Sequence, residues 1–254
     1  MASARAYFAD FRYKLQKNFR DLFSFRYRAL GRFIVGNPSE AASFGLNGLD
    51  TKLRKWIDTA PNYYIEIGAN DGVAQSNTLS LELFDGWRGL LIEPVEDTFS
   101  RLKRNRNARR NSLVRAACVS FEHPGDSITM HYANLMSIAA GLDSDIPDPM
   151  AHAKEGEKFL KNDDKIRTEV VPAMTMTSAL DLAGAPRTIG LLSLDVEGAE
   201  LEVLRGIDFD RYRIHTILLE SRGVERISNY LAGRGYSLRA TLSGHDFLFQ
   251  LDGE

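Results

Sequence analysis

The segment from Ile189 to Gly206, I-G-L-L-S-L-D-V-E-G-A-E-L-E-V-L-R-G, narrows the fold more than any other part of this chain. The apolar run Leu191–Leu194 has the length and flanks of a buried parallel strand. It stops at Asp195, and Glu197, Gly198 and Glu200 follow before a helical stretch carrying Leu201, Val203 and Leu204 closes at Gly206. Ligands of open α/β sheets bind just beyond the carboxyl ends of the strands. Three acids within six residues at such an end therefore lie where chemistry takes place.

The same pattern occurs earlier. Tyr63-Tyr64-Ile65-Glu66-Ile67 is a β-rich run that breaks into Gly68-Ala69-Asn70-Asp71-Gly72, and a helix is expected over about 75–84. A second strand, Gly89-Leu90-Leu91-Ile92, ends at Glu93-Pro94. Glycines after a first strand let backbone approach a ligand closely, and the following helix N-terminus favours an anionic group. An acid ending the next strand is placed to accept hydrogen bonds from ribose hydroxyls.

The loop chemistry discriminates between nucleotide cofactors. A dinucleotide fingerprint needs G-x-G-x-x-G, whereas Asn70 stands where the second glycine would be, which disfavours NAD and an oxidoreductase. S-adenosylmethionine has no phosphate. It offers an amine and a sulfonium to acids such as Glu66, a carboxylate to backbone N–H groups, and a ribose diol to Glu93.

The strings I-E-I-G-A-N-D-G with S-N-T-L at Ser76–Leu79, G-L-L-I-E-P at Gly89–Pro94, and L-D-V-E-G-A-E at Leu194–Glu200 resemble the FkbM family of S-adenosylmethionine-dependent methyltransferases. The resemblance runs from about Tyr63 to Phe249. It implies a class I methyltransferase fold, a Rossmann-like, doubly wound, mostly parallel α/β sheet of seven strands. It also implies O-methylation of a hydroxyl on a sugar, polysaccharide or related natural product. The expected cofactor contacts are Glu66, Gly68, Ala69, Asn70, Asp71, Gly72, Ser76, Glu93, Pro94, Ala117 and Asp195. A methyltransferase fold that serves only as a binding scaffold is the alternative, though its cofactor residues would then be expected to be damaged.

Alternating β and α patterns continue along the chain. A helix is expected over about 95–105 and a strand over 112–119. A break covers Phe121–Lys165, with Pro124, Pro147 and Pro149, a strand at Ser127–Tyr132 and a charged helix near Met150–Lys161. Strand and helix follow at Thr168–Val171 and Thr177–Ala183, then a strand at Thr216–Leu219 ending at Glu220. A helix over Val224–Gly233 leads to a terminal hairpin of Tyr236–Ala240 and Phe247–Leu251. The break reads as a cover over the acceptor pocket.

Charge is shared unevenly. Met1–Pro38 holds eight Lys/Arg against Asp10 and Asp21, so the remainder carries −8 of a net −2. Phe8, Phe11, Leu15, Phe19, Leu22, Phe23, Leu30 and Phe33 recur there at helical spacing. Residues 1–60 thus read as a basic amphipathic arm that packs on its own domain or a second copy of the chain, or else touches anionic membrane peripherally. Lys/Arg between Arg101 and Arg110, Arg106 included, read as a solvated helix end. The net charge and the lack of stacking aromatics argue against nucleic acid. A lone Cys118, no apolar run of membrane-spanning length and no signal-peptide pattern suggest a cytoplasmic enzyme.

An alcohol is a weak nucleophile until deprotonated, either by a general base or on a metal ion. Asp195, Glu197, Glu220 and His245 are the catalytic candidates. Mg²⁺ held by Asp195 and Glu220 is the alternative to a simple base.

Overall fold

The computed structural model describes residues 43–58, 60–160 and 164–253. The amphipathic helical pattern expected in Met1–Pro38 lies outside the described residues.

The strands are β1 (Tyr63–Ile67), β2 (Arg88–Ile92), β3 (Asn111–Val114), β4 (Ala117–Val119), β5 (Ser127–Tyr132), β6 (Ile138–Ala139), β7 (Arg167–Thr175), β8 (Thr188–Leu194), β9 (Arg213–Glu220), β10 (Tyr236–Thr241) and β11 (Asp246–Leu251). The helices are α1 (Leu49–Leu53), α2 (Leu79–Phe84), α3 (Glu96–Asn105), α4 (Pro149–Glu155), α5 (Met176–Ala183), α6 (Glu200–Arg205) and α7 (Val224–Ala232). Seven strands form one sheet in the order β10-β11-β9-β8-β1-β2-β3. It is parallel from β3 through β9, with β11 antiparallel to β9 and β10 antiparallel to β11. Only β11 is reversed, because it inserts between β9 and β10. Its Leu248 and Phe249 are buried, whereas β10 takes the edge and exposes Leu238.

Period-two alternation along the central strands explains the two layers. Ile65, Ile67, Leu90, Ile92, Leu192, Leu194, Ile217 and Leu219 face Met176, Leu180, Leu201, Leu204, Ile227 and Leu231 of α5–α7. Tyr64, Leu91, Leu191, Leu218 and Leu248 face the other way, onto Leu49, Leu53, Leu81, Phe99 and Leu102. The packed unit thus includes α1, N-terminal to residue 61. Burying each of these large apolar side chains contributes about 1.5–3 kcal/mol.

Two expectations change in detail. The run 112–119 is two strands, not one, since the chain leaves the main sheet after Val114 and pairs Ala117–Val119 with β7. Likewise β7 does not rejoin the main sheet. It spans a second, four-stranded sheet in the order β4-β7-β5-β6, formed with the 121–165 segment. That sheet has its own small core of Val119, Ile128, Met130 and Val171.

The consequence for the site is a level edge. Ile67 pairs with both Ile92 and Leu194, Leu194 with Leu219, and Glu220 with Asp246. Gly68, Glu93, Asp195 and Glu220 therefore all leave the sheet at one edge.

Candidate functional site

Gly68 leaves β1 with a φ of +78°, and a Cβ there would stand 1.8 Å from the Asp195 carbonyl oxygen. Only glycine permits this crossing of two strand ends. Ala69 and Gly68 donate to the Ile92 carbonyl, and Asp195 N donates to Ile67 O. Asn70 then adopts a left-handed φ of 47°, supported by its own Oδ1 accepting from Asp71 N at 2.7 Å. Asp71 Oδ1 accepts from Val73 N and Ala74 N, which closes the turn.

The expected helix over 75–84 begins only at Leu79. Buried Glu66 is the cause, because it draws residues 76–78 out of helical pairing. Its carboxylate accepts from Ser76 Oγ at 2.9 Å, Asn77 N at 2.9 Å and Thr78 Oγ1 at 2.7 Å. A fourth donor, Arg106 Nη1, stands at 3.2 Å. Glu66 is thus saturated by the loop it shapes.

Arg106 corrects the reading of the basic run. It is 3% exposed rather than solvated, and it spends its guanidinium inside the fold. Nε donates to Glu82 at 2.7 Å, Nη1 also reaches Gly72 O at 3.2 Å, and Nη2 reaches Tyr64 Oη at 2.6 Å. Phe99, Leu102 and Arg106 follow i, i+3, i+7 spacing, the one sequence signal that places this arginine on the buried face.

A cavity of about 410 Å³ opens over this edge, within the usual range for small-ligand sites. Of the residues expected at the cofactor, Glu66, Gly68, Ala69, Asn70, Ser76, Glu93, Pro94, Ala117 and Asp195 line it, whereas Asp71 and Gly72 do not. All four catalytic candidates line it as well. Glu93 is buried, accepts Asn70 N on one oxygen and Val95 N on the other, and is pushed up to about 7 by burial. Each of its oxygens keeps a lone pair for a ligand. Ala117, Cys118 and Met130 add an apolar wall.

At the other end the carboxylates crowd. Burial pushes Asp195 well above the usual carboxylate range, and Glu220, Glu197, Glu200 and Asp246 reinforce the shift. Glu197, with a left-handed φ of 56°, is raised to about 8 by burial, then by Glu220 and Glu200. A non-glycine residue held there stores strain, a common mark of functional loops. Glu200 reaches back to accept Val196 N and Gly198 N, each at 3.1 Å, so it fixes the loop rather than facing a ligand. Glu220 is also raised by burial, partly offset by His245 at 3.9 Å. Among the described residues no three His, Cys, Asp or Glu side chains form a set able to hold a metal ion. The Mg²⁺ alternative through Asp195 and Glu220 is therefore not supported.

Residues 134–159 of the 121–165 segment close over this acidic end. Asp145 Oδ2 accepts from Ser221 Oγ, Arg222 N and Gly223 N, while Asp145 N donates to Gly198 O. Asp143 pairs with Arg205 and Arg226. Residues that sequence reasoning missed come from here and from the β9 edge: Asn134, Lys158, Phe159 and Arg222 line the cavity, and buried His152 stands behind Glu197. No motif flags them, because only folding brings these loops to the sheet edge.

The strand order, the level carboxyl ends and the glycine loop opposite two strand-end acids define a class I methyltransferase fold. The profile of the family described as the methyltransferase FkbM domain matches residues 66–238, and this chain belongs to that family. Methyltransferase FkbM from Methylobacillus flagellatus KT is 15% identical with a TM-score of 0.48, over 94% of this chain and 57% of that one. This chain thus spans less than two thirds of that protein's length. The human METTL16 N-terminal domain, solved in complex with SAH, is 11% identical with a TM-score of 0.38, over 79% of this chain and 65% of that one. The hMettl16 catalytic domain in complex with the MAT2A 3'UTR hairpin 6 is 12% identical with a TM-score of 0.45, over 100% of this chain and 94% of that one. No curated protein matches the chain.

That hairpin complex corrects the exclusion of nucleic acid drawn from the sequence: a domain matched to this fold is solved on RNA. Among the described residues no helix is long and apolar enough to cross a membrane.

Proposed function

We propose that this FkbM-family methyltransferase transfers a methyl group from S-adenosylmethionine to a hydroxyl of a sugar, polysaccharide or related acceptor. The observation that carries the reading is the shared cavity: Glu93 and Asp195, at the ends of β2 and β8, open onto it beside the Gly68–Asn70 turn. The donor set suits this cofactor. Glu93 has lone pairs for a ribose diol, Ala117 and Met130 offer an apolar wall to a base, and Asp195 lies beside the turn. Glu66 and Asp71 act as positioning residues, because both carboxylates are occupied by the loop. When bound, S-adenosylmethionine supplies an electrophilic methyl on a sulfonium.

Asp195, in its ionised form, would take the hydroxyl proton of the acceptor as the methyl passes from sulfur to that oxygen and the carbon–sulfur bond breaks. Burial and the neighbouring acids raise its pKa, which makes the ionised form a stronger proton acceptor. Glu197, Glu220, Arg222 and His245 line the same end and orient the acceptor. The segment 121–165 excludes water by covering that end. The proposed compartment is cytoplasmic.

Calorimetry with S-adenosylmethionine and NAD tests the cofactor. Binding of the first in the micromolar range is expected, and preference for NAD would refute the assignment. Mass spectrometry of glycans from cells with and without the gene then tests the acceptor. Loss of a methylated sugar on deletion is expected, and an unchanged glycan profile would count against a glycan.

A further inference from the structure

The segment 121–165 does more than cover the site. It places one titratable side chain in contact with the catalytic loop. His152 sits in α4, which Asp148 caps by accepting Ala151 N at 2.9 Å and which Pro149 opens. The imidazole is buried, with Nε2 at 2.8 Å from Glu197 Oε2. The approach is off-line for a hydrogen bond, and Nε2 has no other partner. Nδ1 faces Arg222 Nη2 at 3.5 Å.

This arrangement chooses a tautomer. A guanidinium only donates, so the imidazole nitrogen facing it must keep its lone pair. The proton of neutral His152 then sits on Nε2, where the available acceptor is the Glu197 carboxylate. Had Glu197 been protonated and donating to Nε2, Nδ1 would carry a proton pointed at Arg222. Burial and Arg222 both lower the His152 pKa, against Glu155 and Asp145, so the ring stays neutral at pH 7. Around Glu197, burial, Glu220, Glu200 and Asp145 favour the protonated acid, whereas Arg222 favours the carboxylate. A donor on Nε2 adds to Arg222 and opposes the rest.

We propose that His152 is a positioning residue for Glu197: Arg222 holds its imidazole as the Nε2–H tautomer, which sets a donor beside Glu197 Oε2, favours the carboxylate form and aims that side chain into the acceptor end of the cavity. The inference rests on the reading that this end receives the acceptor. Glu197 would then accept a hydrogen bond from an acceptor hydroxyl, and its orientation would depend on the 121–165 segment being docked.

The test needs no acceptor. Long-range ¹⁵N NMR of the full chain, labelled at histidine, reports the tautomer, and His152→Gln identifies the signal. A neutral Nε2–H ring at about pH 7–8 is expected, with mixed tautomers in Arg222→Ala. An Nδ1–H ring, an imidazolium at pH 7, or indifference to Arg222→Ala would overturn the proposal. The ¹³C carboxyl signal of Glu197 supplies the second readout. Loss of the Nε2–H dipole beside the carboxylate should move its titration upward by about one pH unit in His152→Ala. His152→Gln, whose amide can donate but does not titrate, should restore it, and a titration unmoved by His152→Ala would leave a packing role only. Failure of S-adenosylmethionine to bind in calorimetry would instead refute the methyltransferase reading and leave the tautomer result intact.

Discussion

Replacing Arg106 by Met should show how strongly the cofactor loop depends on one buried guanidinium. The substitution keeps an unbranched side chain of similar length but removes every donor. Glu66 then retains Ser76, Asn77 N and Thr78, and Glu82 retains Tyr64 and Asn111, yet both carboxylates lose their only buried counter-charge among the described residues. Gly72 O also loses a donor. Breaking a buried ion pair from one side typically costs about 3–5 kcal/mol, because a charge is left without compensation. For a chain of this size that corresponds to a fall in melting temperature of roughly 6–20 °C. The sign of the pH effect follows from linkage. Stranded carboxylates take up protons in the folded state more readily than in the unfolded chain, so the variant's relative stability falls as pH rises. Urea unfolding at pH 5.5 and pH 8, with unfolding slopes unchanged, should give the larger loss at pH 8. A loss below about 1 kcal/mol at pH 8, or one equal at both pH values, would show that the guanidinium does not hold this network.

Other outcomes bear on the site directly. Glu93→Ala should weaken S-adenosylmethionine binding roughly 10- to 150-fold in calorimetry, the worth of one hydrogen bond to a charged group; an unchanged Kd would remove Glu93 from the ribose. With Glu93 raised to about 7, folded-state stability from its proton is present below the unfolded value of about 4.3 and lost as pH rises through 7. Cofactor affinity should run the opposite way, weakening as pH falls below about 7, and Glu93→Gln should flatten that dependence. Asp195→Asn should lower turnover at least about 100-fold with cofactor affinity little changed, and near-normal methyl transfer would remove it as the base. Gly68→Ala should abolish cofactor binding and lower the melting temperature, because its Cβ would collide with the Asp195 backbone. Wild-type affinity in that variant would refute the close crossing of β1 and β8.

Local chemistry along the chain was sufficient for the seven-stranded sheet and for which residues end its central strands. Short apolar runs ending in Gly68, Glu93, Asp195 and Glu220 carry their own strand signal. A parallel sheet buried on both faces then leaves those four residues no position except its carboxyl edge. What tertiary structure alone decided are contacts between segments distant in sequence. Arg106 looked like surface charge because its neighbours are basic, and the buried carboxylates that claim it lie 40 and 24 residues away. Glu66 read as a ligand for the cofactor amine, but donors ten to twelve residues on occupy its lone pairs. His152 carried no motif at all. Its meaning arises where Asp145 ties the 121–165 segment to residues 221–223, setting an imidazole beside Glu197. Periodicity and strand-end acids report what a residue does to its own element, whereas the partner of a buried charge is chosen only when the elements pack.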